Sequence, residues 1–373
     1  MPQTMPDAPQ RRLLVLFPGA LGDFVCFLSA LSALMEDSHV DLLARTEFAD
    51  LAPPAVNVAS LERYEIRRLF VAGAQDDERV RDFFASYAAV YSWMGSQAPE
   101  FVRQLESVSQ GGARIFPFRP GDQKMHQRDY YLACLAPSTR APALARGSCS
   151  GFRPTGVLEG AAGLPVGLHA PNRKPPLSAI APRPQAVEWC DHFWREHSLG
   201  DRAVLTLAPG SGAAEKNWSI QFYRAVAEWW RHSTQGAAIA LSGPVEEARG
   251  GFDVLSDCCE TARNLDLAQV AALLARSDLY LGNDSGITHL AAAVGVRTVA
   301  LFGPSDALEW APPGKSVTVL SRNVECSPCE ISVMKNCPHR KCLTAFYPTD
   351  VTRELEKLPE VAALTRWVAG IKV

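Results

Sequence analysis

Apolar residues recur along this 373-residue chain in two alternating rhythms. Short unbroken apolar runs read as buried strands, and stretches with apolar side chains three and four apart read as amphipathic helices. From residue 13 to about 135 the strand candidates are Leu13–Phe17, Val40–Leu43, Arg68–Val71, Ala89–Trp93 and Ala113–Phe116. Helix-like segments Phe24–Met35, Glu78–Tyr87 and Glu100–Val108 lie between them. After residue 184 the rhythm resumes with strands Ala203–Leu207, Ala237–Leu241, Leu279–Leu281, Thr298–Phe302 and Val317–Leu320. The helices there are Ile220–His232, with Phe222, Val226, Trp229 and Trp230 on one face, then Leu267–Ala275 and Ile287–Val294. Strands that alternate with helices predict parallel sheets joined by crossover helices, so the fold class is α/β.

Between the two halves, Ala136 to Pro184 holds nine of the chain's 27 prolines, a density that breaks helices and central strands alike. A single surface loop of that length would be unusual inside one domain. The expectation is therefore two domains, 1–167 and 184–348, joined by a linker at 168–183. A C-terminal segment, 349–373, carries helices at Thr349–Leu358 and Val361–Ile371.

Composition narrows the class without choosing a partner. Hydrophobic residues at 47% and charged residues at 21% fit a folded globular protein. The net charge of -3, from 37 Lys+Arg against 40 Asp+Glu, lacks the basic excess of a nucleic-acid binder. Met1–Gln10 is polar, and the apolar run at Leu13–Phe17 is too short for a signal segment. No stretch approaches the ~20 apolar residues that span a bilayer. Ten cysteines in a chain of this length do not make a disulfide scaffold, which favours a reducing, cytoplasmic setting.

The candidate chemistry sits at strand ends. Pro18-Gly19-Ala20-Leu21-Gly22-Asp23 joins the first strand to the first helix, where a glycine turn brings backbone close to a ligand. It is not the G-x-G-x-x-G fingerprint, and Asp23 alone reads equally as a helix cap. Pro209-Gly210-Ser211-Gly212 with Lys216 follows the first strand of the second half. It lacks a P-loop ending, yet small residues and a lysine suit a phosphate; a solvated lysine is the plain alternative. The densest turn is Gly282-Asn283-Asp284-Ser285-Gly286-Ile287-Thr288-His289, whose helix start offers unpaired amides to a pyrophosphate. His289 lies about one turn into that helix. Gly243-Pro244-Val245-Glu246-Glu247 supplies carboxylates that hold ribose hydroxyls or serve a helix N-terminus.

Cys326, Cys329, Cys337 and Cys342 have a spacing that would allow a structural zinc site, with a middle gap shorter than in common zinc ribbons. No Asp-x-Asp pair is present, nor G-x-S-x-G or H-E-x-x-H, which disfavours metal-dependent nucleotide-sugar enzymes and the commonest hydrolases.

Taken in order, these segments resemble glycosyltransferase family 9, the ADP-heptose:lipopolysaccharide heptosyltransferase family. Pro18–Asp23 is similar to its Gly-Asp turn, and Pro209-Gly-Ser-Gly with Lys216-x-Trp218-Ser219 to its G-S-x(n)-K-x-W-P element. Gly282–Ala293, followed by Leu301-Phe-Gly-Pro304, resembles its most specific block. Cys326-Ser-Pro-Cys329 through Cys342, with Asp350-Val351, is similar to a tail of many members. Phe17 and Pro18 replace a common basic residue, and Ser219 replaces a proline.

The resemblance implies a GT-B fold: two Rossmann-like domains facing across a cleft, the N-terminal on the acceptor side and the C-terminal holding the nucleotide sugar. The C-terminal helices would pack back toward the N-terminal domain. It implies inverting transfer without a metal, most readily of heptose from ADP-heptose to a lipopolysaccharide core or related glycan. Asp23 would be the general base. Ser211, Gly212, Lys216, Glu246, Asp284, Ser285, Gly286 and His289 would bind the donor, with His289 ranked below Lys216. A lipid-linked acceptor would bring the chain to the inner face of the cytoplasmic membrane, in peripheral contact with it. Two alternatives stand beside this reading: a GT-B-fold UDP-sugar epimerase, and a non-catalytic member acting as a binding protein.

Overall fold

The computed structural model describes residues 11–136, 166–168, 180–322 and 324–371. Its first sheet contains β1 (Arg11–Leu16), β2 (Ser38–Ala44), β3 (Asn57–Ser60), β4 (Ala89–Ser92) and β5 (Ala113–Ile115), in the order β3-β2-β1-β4-β5. Every pairing in it is parallel. The second sheet contains β6 (Val166–Leu168), β7 (Val204–Ala208), β8 (Ala237–Ser242), β9 (Glu260–Arg263), β10 (Leu279–Asn283), β11 (Arg297–Phe302) and β12 (Val317–Arg322). Their order is β6-β12-β11-β10-β7-β8-β9, parallel throughout except for β6 against β12. Strands β7, β8 and β10 are buried at every position, which is why they read as continuous apolar runs: helices cover both faces of a parallel sheet.

Three expectations are corrected. Arg68–Val71 is not a strand; it is the end of a short helix, Tyr64–Arg68, and the turn after it. Leu69 is buried there, while Phe70 and Val71 are exposed and Phe70 packs on Phe101 with ring centroids 4.8 Å apart. The third strand of that sheet is β3 instead, and β9 is a second strand without an apolar run. Both are edge strands, largely polar in sequence because an edge buries less of its surface. The boundary at 167 falls inside β6, whose Leu168 registers with Leu320 of the second sheet; the rest of the expected linker up to residue 179 lies outside the described residues.

Among the described residues, the C-terminal helices Pro348–Glu356 and Pro359–Ile371 pack mainly on the Ile220–Thr234 helix of the second domain, not back toward the first. Val351, Leu355 and Val361 join Trp218, Tyr223, Val226 and Trp230 in one apolar cluster, and that shared burial fixes their place.

The two domains meet through the first helix, Leu21–Met35. It is buried on most of its circumference, including Phe24, Val25, Phe27, Leu28 and Leu31, as a helix enclosed by neighbours must be. Its neighbours are the helix Gln127–Leu135 and, from the second domain, the helix Gly286–Val294. Phe17 stacks on Phe27 at 4.4 Å between centroids, and Tyr131 closes edge-on against both rings. This aromatic packing anchors the turn that begins at Pro18.

Candidate active site

In open parallel sheets a ligand binds beyond the carboxyl ends of the strands, where the strand order reverses. The first sheet reverses between β1 and β4, the second between β7 and β10. The Pro18–Asp23 turn leaves β1, the Pro209–Lys216 loop leaves β7, and the Asp284–Gly286 turn leaves β10. All three glycine turns therefore occupy switch points.

Asp23 lies in the first turn of its helix and is 8% exposed. Its Oδ2 accepts from the Ala20 N–H at 3.2 Å, so the helix-terminus role is real. Its Oδ1 accepts from Arg119 Nη1 at 2.7 Å, a partner that sequence reasoning missed. Arg119 comes from the loop after β5, where no motif points to it.

On the facing domain one buried residue builds the phosphate-loop candidate. Asn283, 0% exposed, accepts from the Trp218 N–H at 3.0 Å through Oδ1 and donates from Nδ2 to Pro209 O at 2.7 Å. Both ends of the loop that carries Ser211 and Lys216 are thus tied to β10. The loop is tied further by Ser211 Oγ, which lies 2.6 Å from both Ala213 O and Asn217 Oδ1 and has one proton to donate to one of them. Arg249 donates to Ser211 O and Gly212 O at 2.9 and 3.3 Å. Lys216 Nζ pairs with Asp284 Oδ2 at 2.6 Å, which joins the β7 and β10 turns. Glu246 lies over Gly210, where an added Cβ would meet its Oε1 at 2.0 Å, and accepts from the Gly243 N–H at 3.1 Å. An alanine at 210 would have to push that side chain aside.

Ser285 caps the Gly286–Val294 helix by accepting from the Thr288 N–H at 3.4 Å. At Gly286 the two domains touch: an added Cβ would lie 2.8 Å from Leu21 Cβ and 3.0 Å from Gly22 N. His289, 2% exposed, packs into this interdomain contact, with Nδ1 3.6 Å from Cys26 Sγ. Burial lowers its pKa below the ordinary histidine value, and Lys216 lowers it further, against the opposing pull of Asp284, Asp23 and a hydrogen bond with the Trp310 backbone. The ring therefore lies within the fields of Asp23, Lys216 and Asp284 together. Burial raises the Cys26 thiol far above its usual range, so Cys26 is a packing residue here.

Cys326, Cys329, Cys337 and Cys342 line one small cavity with Met334 and His339. Among the described residues no group of three or more His, Cys, Asp or Glu side chains is arranged to hold a metal ion, so the zinc expectation has no support. Two of the sulfurs have local partners instead. Cys329 Sγ donates to Cys326 O at 2.8 Å, and Cys337 Sγ accepts from the Arg340 N–H at 3.4 Å.

Residues 167–339 match the family model described as glycosyltransferase family 9 (heptosyltransferase). That segment is similar to glycosyltransferase family 9. Over 173 residues it is 30% identical to a lipooligosaccharide heptosyltransferase 2 of Haemophilus influenzae, covering 43% of this chain and 48% of that one. It is 29% identical over 199 residues to a lipopolysaccharide heptosyltransferase 1 of Pseudomonas aeruginosa, 51% of this chain and 52% of that one. The chain spans about half the length of the curated relatives it matches.

Solved structures extend the likeness of fold along this family 9-like chain. A glycosyl transferase family 9 protein from Veillonella parvula is 18% identical with a TM-score of 0.66, covering 95% of this chain and 99% of that one. The E. coli ADP-heptose lps heptosyltransferase II is 17% identical with a TM-score of 0.61, covering 96% and 99%. The fold is GT-B, two Rossmann-like domains facing across a cleft. These relatives are transferases, which gives the epimerase alternative no support. Among the described residues no helix is long and apolar enough to cross a membrane.

Proposed function

We propose that this chain is an inverting glycosyltransferase that moves heptose from ADP-heptose to a lipopolysaccharide core or related glycan. The observation that carries the proposal is the meeting of the two domains' turns. The Gly22-Asp23 turn lies against Gly286, and Asp284, two residues away, holds Lys216 at 2.6 Å. The names of the relatives support the choice of sugar and acceptor.

In this mechanism the Asp23 carboxylate takes the proton from an acceptor hydroxyl. The hydroxyl oxygen bonds to the anomeric carbon on the face opposite the ADP, and the bond to the diphosphate oxygen breaks with its electron pair leaving on ADP. A positioned base contributes about 10²–10⁴-fold. Lys216 Nζ, Ser211 and the amides at Ser285–Gly286 meet the charge that develops on the diphosphate, with Gly212 leaving room for the loop backbone to approach. Lys216 carries three donors, so pairing with Asp284 leaves others for phosphate. Glu246 takes the ribose hydroxyls. His289 backs the turn from the interdomain side. Transfer needs no metal, and the reaction runs in the cytoplasm, with a lipid-linked acceptor drawing the chain to the inner membrane face.

Calorimetric binding of ADP, with UDP as control and Lys216→Ala alongside, tests the donor site. The expected result is selective ADP binding that weakens about tenfold or more in the variant, the loss of one charge-assisted phosphate contact. Preference for UDP, or equal ADP affinity in the variant, would overturn the assignment.

A further inference from the structure

Arg119 is held in a way that an ordinary surface arginine is not. Its Nη1 donates to Asp23 Oδ1 at 2.7 Å, and the carboxylate it meets is only 9% exposed in its side chain. Its Cζ lies 4.3 Å from the centroid of the Phe118 ring and 4.6 Å from that of Trp310. Exposed ion pairs are weakly fixed, but contact with two aromatic rings and a charge-assisted bond to a buried carboxylate fix this guanidinium.

The two rings come from different domains. Phe118 belongs to the loop after β5, whereas Trp310 ends the short helix Ala307–Trp310 after β11. That second-domain segment touches the first domain again at the next residue, where His126 Nε2 lies 2.8 Å from Ala311 O. The segment that brings Trp310 to Arg119 is thus pinned to the first domain beside the stack.

We infer that Arg119 is a positioning residue for Asp23, and that its stacking on Trp310 makes the setting of that carboxylate depend on the second domain being in place. The inference rests on the reading of Asp23 as the general base. A carboxylate turns broadly about its last torsion. Here one oxygen is set by the Ala20 N–H and the other by Arg119, so removing Arg119 frees one of the two. Lysine would keep the charge but lose the planar face that lies against the rings. Free guanidinium, by contrast, has the shape to enter the vacated space between Phe118 and Trp310.

The test uses the full chain with ADP-heptose and a lipopolysaccharide core acceptor, comparing Arg119→Ala, Arg119→Lys, Trp310→Ala and Asp23→Asn. Misplacing a catalytic group by about 1 Å costs on the order of 10²-fold, so Arg119→Ala should lose about 100-fold in kcat with ADP affinity unchanged. Added guanidinium should recover about tenfold of that loss in Arg119→Ala and nothing in Asp23→Asn. Arg119→Lys should stay well below wild type. Trp310→Ala should fall in kcat, and in the double variant with Arg119→Ala the guanidinium recovery should vanish.

Wild-type kcat in Arg119→Ala overturns the inference. So does a loss that tracks a lower melting temperature and ignores guanidinium, because a merely structural role gives that pattern. Full turnover by Asp23→Asn overturns the base assignment itself, whereas an inactive Asp23→Asn beside a fully active Arg119→Ala overturns only the positioning role.

Discussion

Replacing Asn283 by alanine strips the fold of the side chain that ties the β7 loop to β10. Asn283 is fully buried, and its carboxamide serves two backbone groups, the Trp218 N–H at 3.0 Å and Pro209 O at 2.7 Å. Alanine leaves both without a partner in a place water does not reach freely. Each orphaned buried group costs about 1–3 kcal/mol, so the pair amounts to about 2–6 kcal/mol. That is a large share of the ~5–15 kcal/mol that holds a protein folded, so the variant should still fold, with a clearly lower urea midpoint. Trp218 lies at the loop's end and reports on it, so urea unfolding followed by tryptophan fluorescence reads the loss directly. The same loop carries Ser211 and Lys216, so ADP affinity should fall as well, by about tenfold for each 1.4 kcal/mol of lost bracing. Asn283→Asp keeps an acceptor for Trp218 but removes the donor to Pro209 and buries a charge, so it should do no better than alanine. A loss below about 1 kcal/mol with ADP affinity intact would refute the bracing role.

Two further outcomes follow from the interdomain contact. Gly286→Ala places a methyl 2.8 Å from Leu21 Cβ and 3.0 Å from Gly22 N; the strain should cost about 1–3 kcal/mol in thermal unfolding and slow transfer, and wild-type values of both would contradict the close approach. His289 is held below the ordinary value of 6.5 by burial, so as pH falls the unfolded chain takes up that proton first. Its stabilising contribution is complete above about pH 6.5 and is lost as pH drops toward the folded-state value. His289→Gln should therefore flatten the fall in melting temperature between about pH 7 and 5, by at most the ~1.4 kcal/mol per pH unit of a single proton. An equal slope in both proteins would show that His289 is not the titrating group.

The parts of the fold that were legible in sequence are the ones that bury both faces. Strands β1, β7, β8 and β10 lie in sheet interiors, and their unbroken apolar runs announce them. The edge strands β3 and β9 read as Asn-Val-Ala-Ser and Glu-Thr-Ala-Arg, which carry no apolar run to find. Arg68–Val71 misled because Leu69 packs inward while Phe70 and Val71 lie on the surface of a helix end. The glycine turns were legible because a backbone that must approach a neighbour closely keeps its glycines, as Gly210 does under Glu246 and Gly286 against Gly22. Arg119 was not, since its role comes from a contact 96 residues away in sequence and from a tryptophan on the other domain. Asn283 stood inside the densest motif, but nothing in its neighbours showed that it faces inward to Pro209 and Trp218. His289 stands out in sequence beside Asp-Ser-Gly, but only the structure shows that its ring is buried between the domains.

Asp23 is the proposed base, and its loss is the most direct test of transfer. Purified wild-type chain and Asp23→Asn would be compared for ADP release from ADP-heptose in the presence of a lipopolysaccharide core acceptor, with ADP affinity measured on both. The account predicts turnover about 10²–10⁴-fold slower in the variant, with ADP bound as tightly as before. Turnover by Asp23→Asn at the wild-type rate would contradict it.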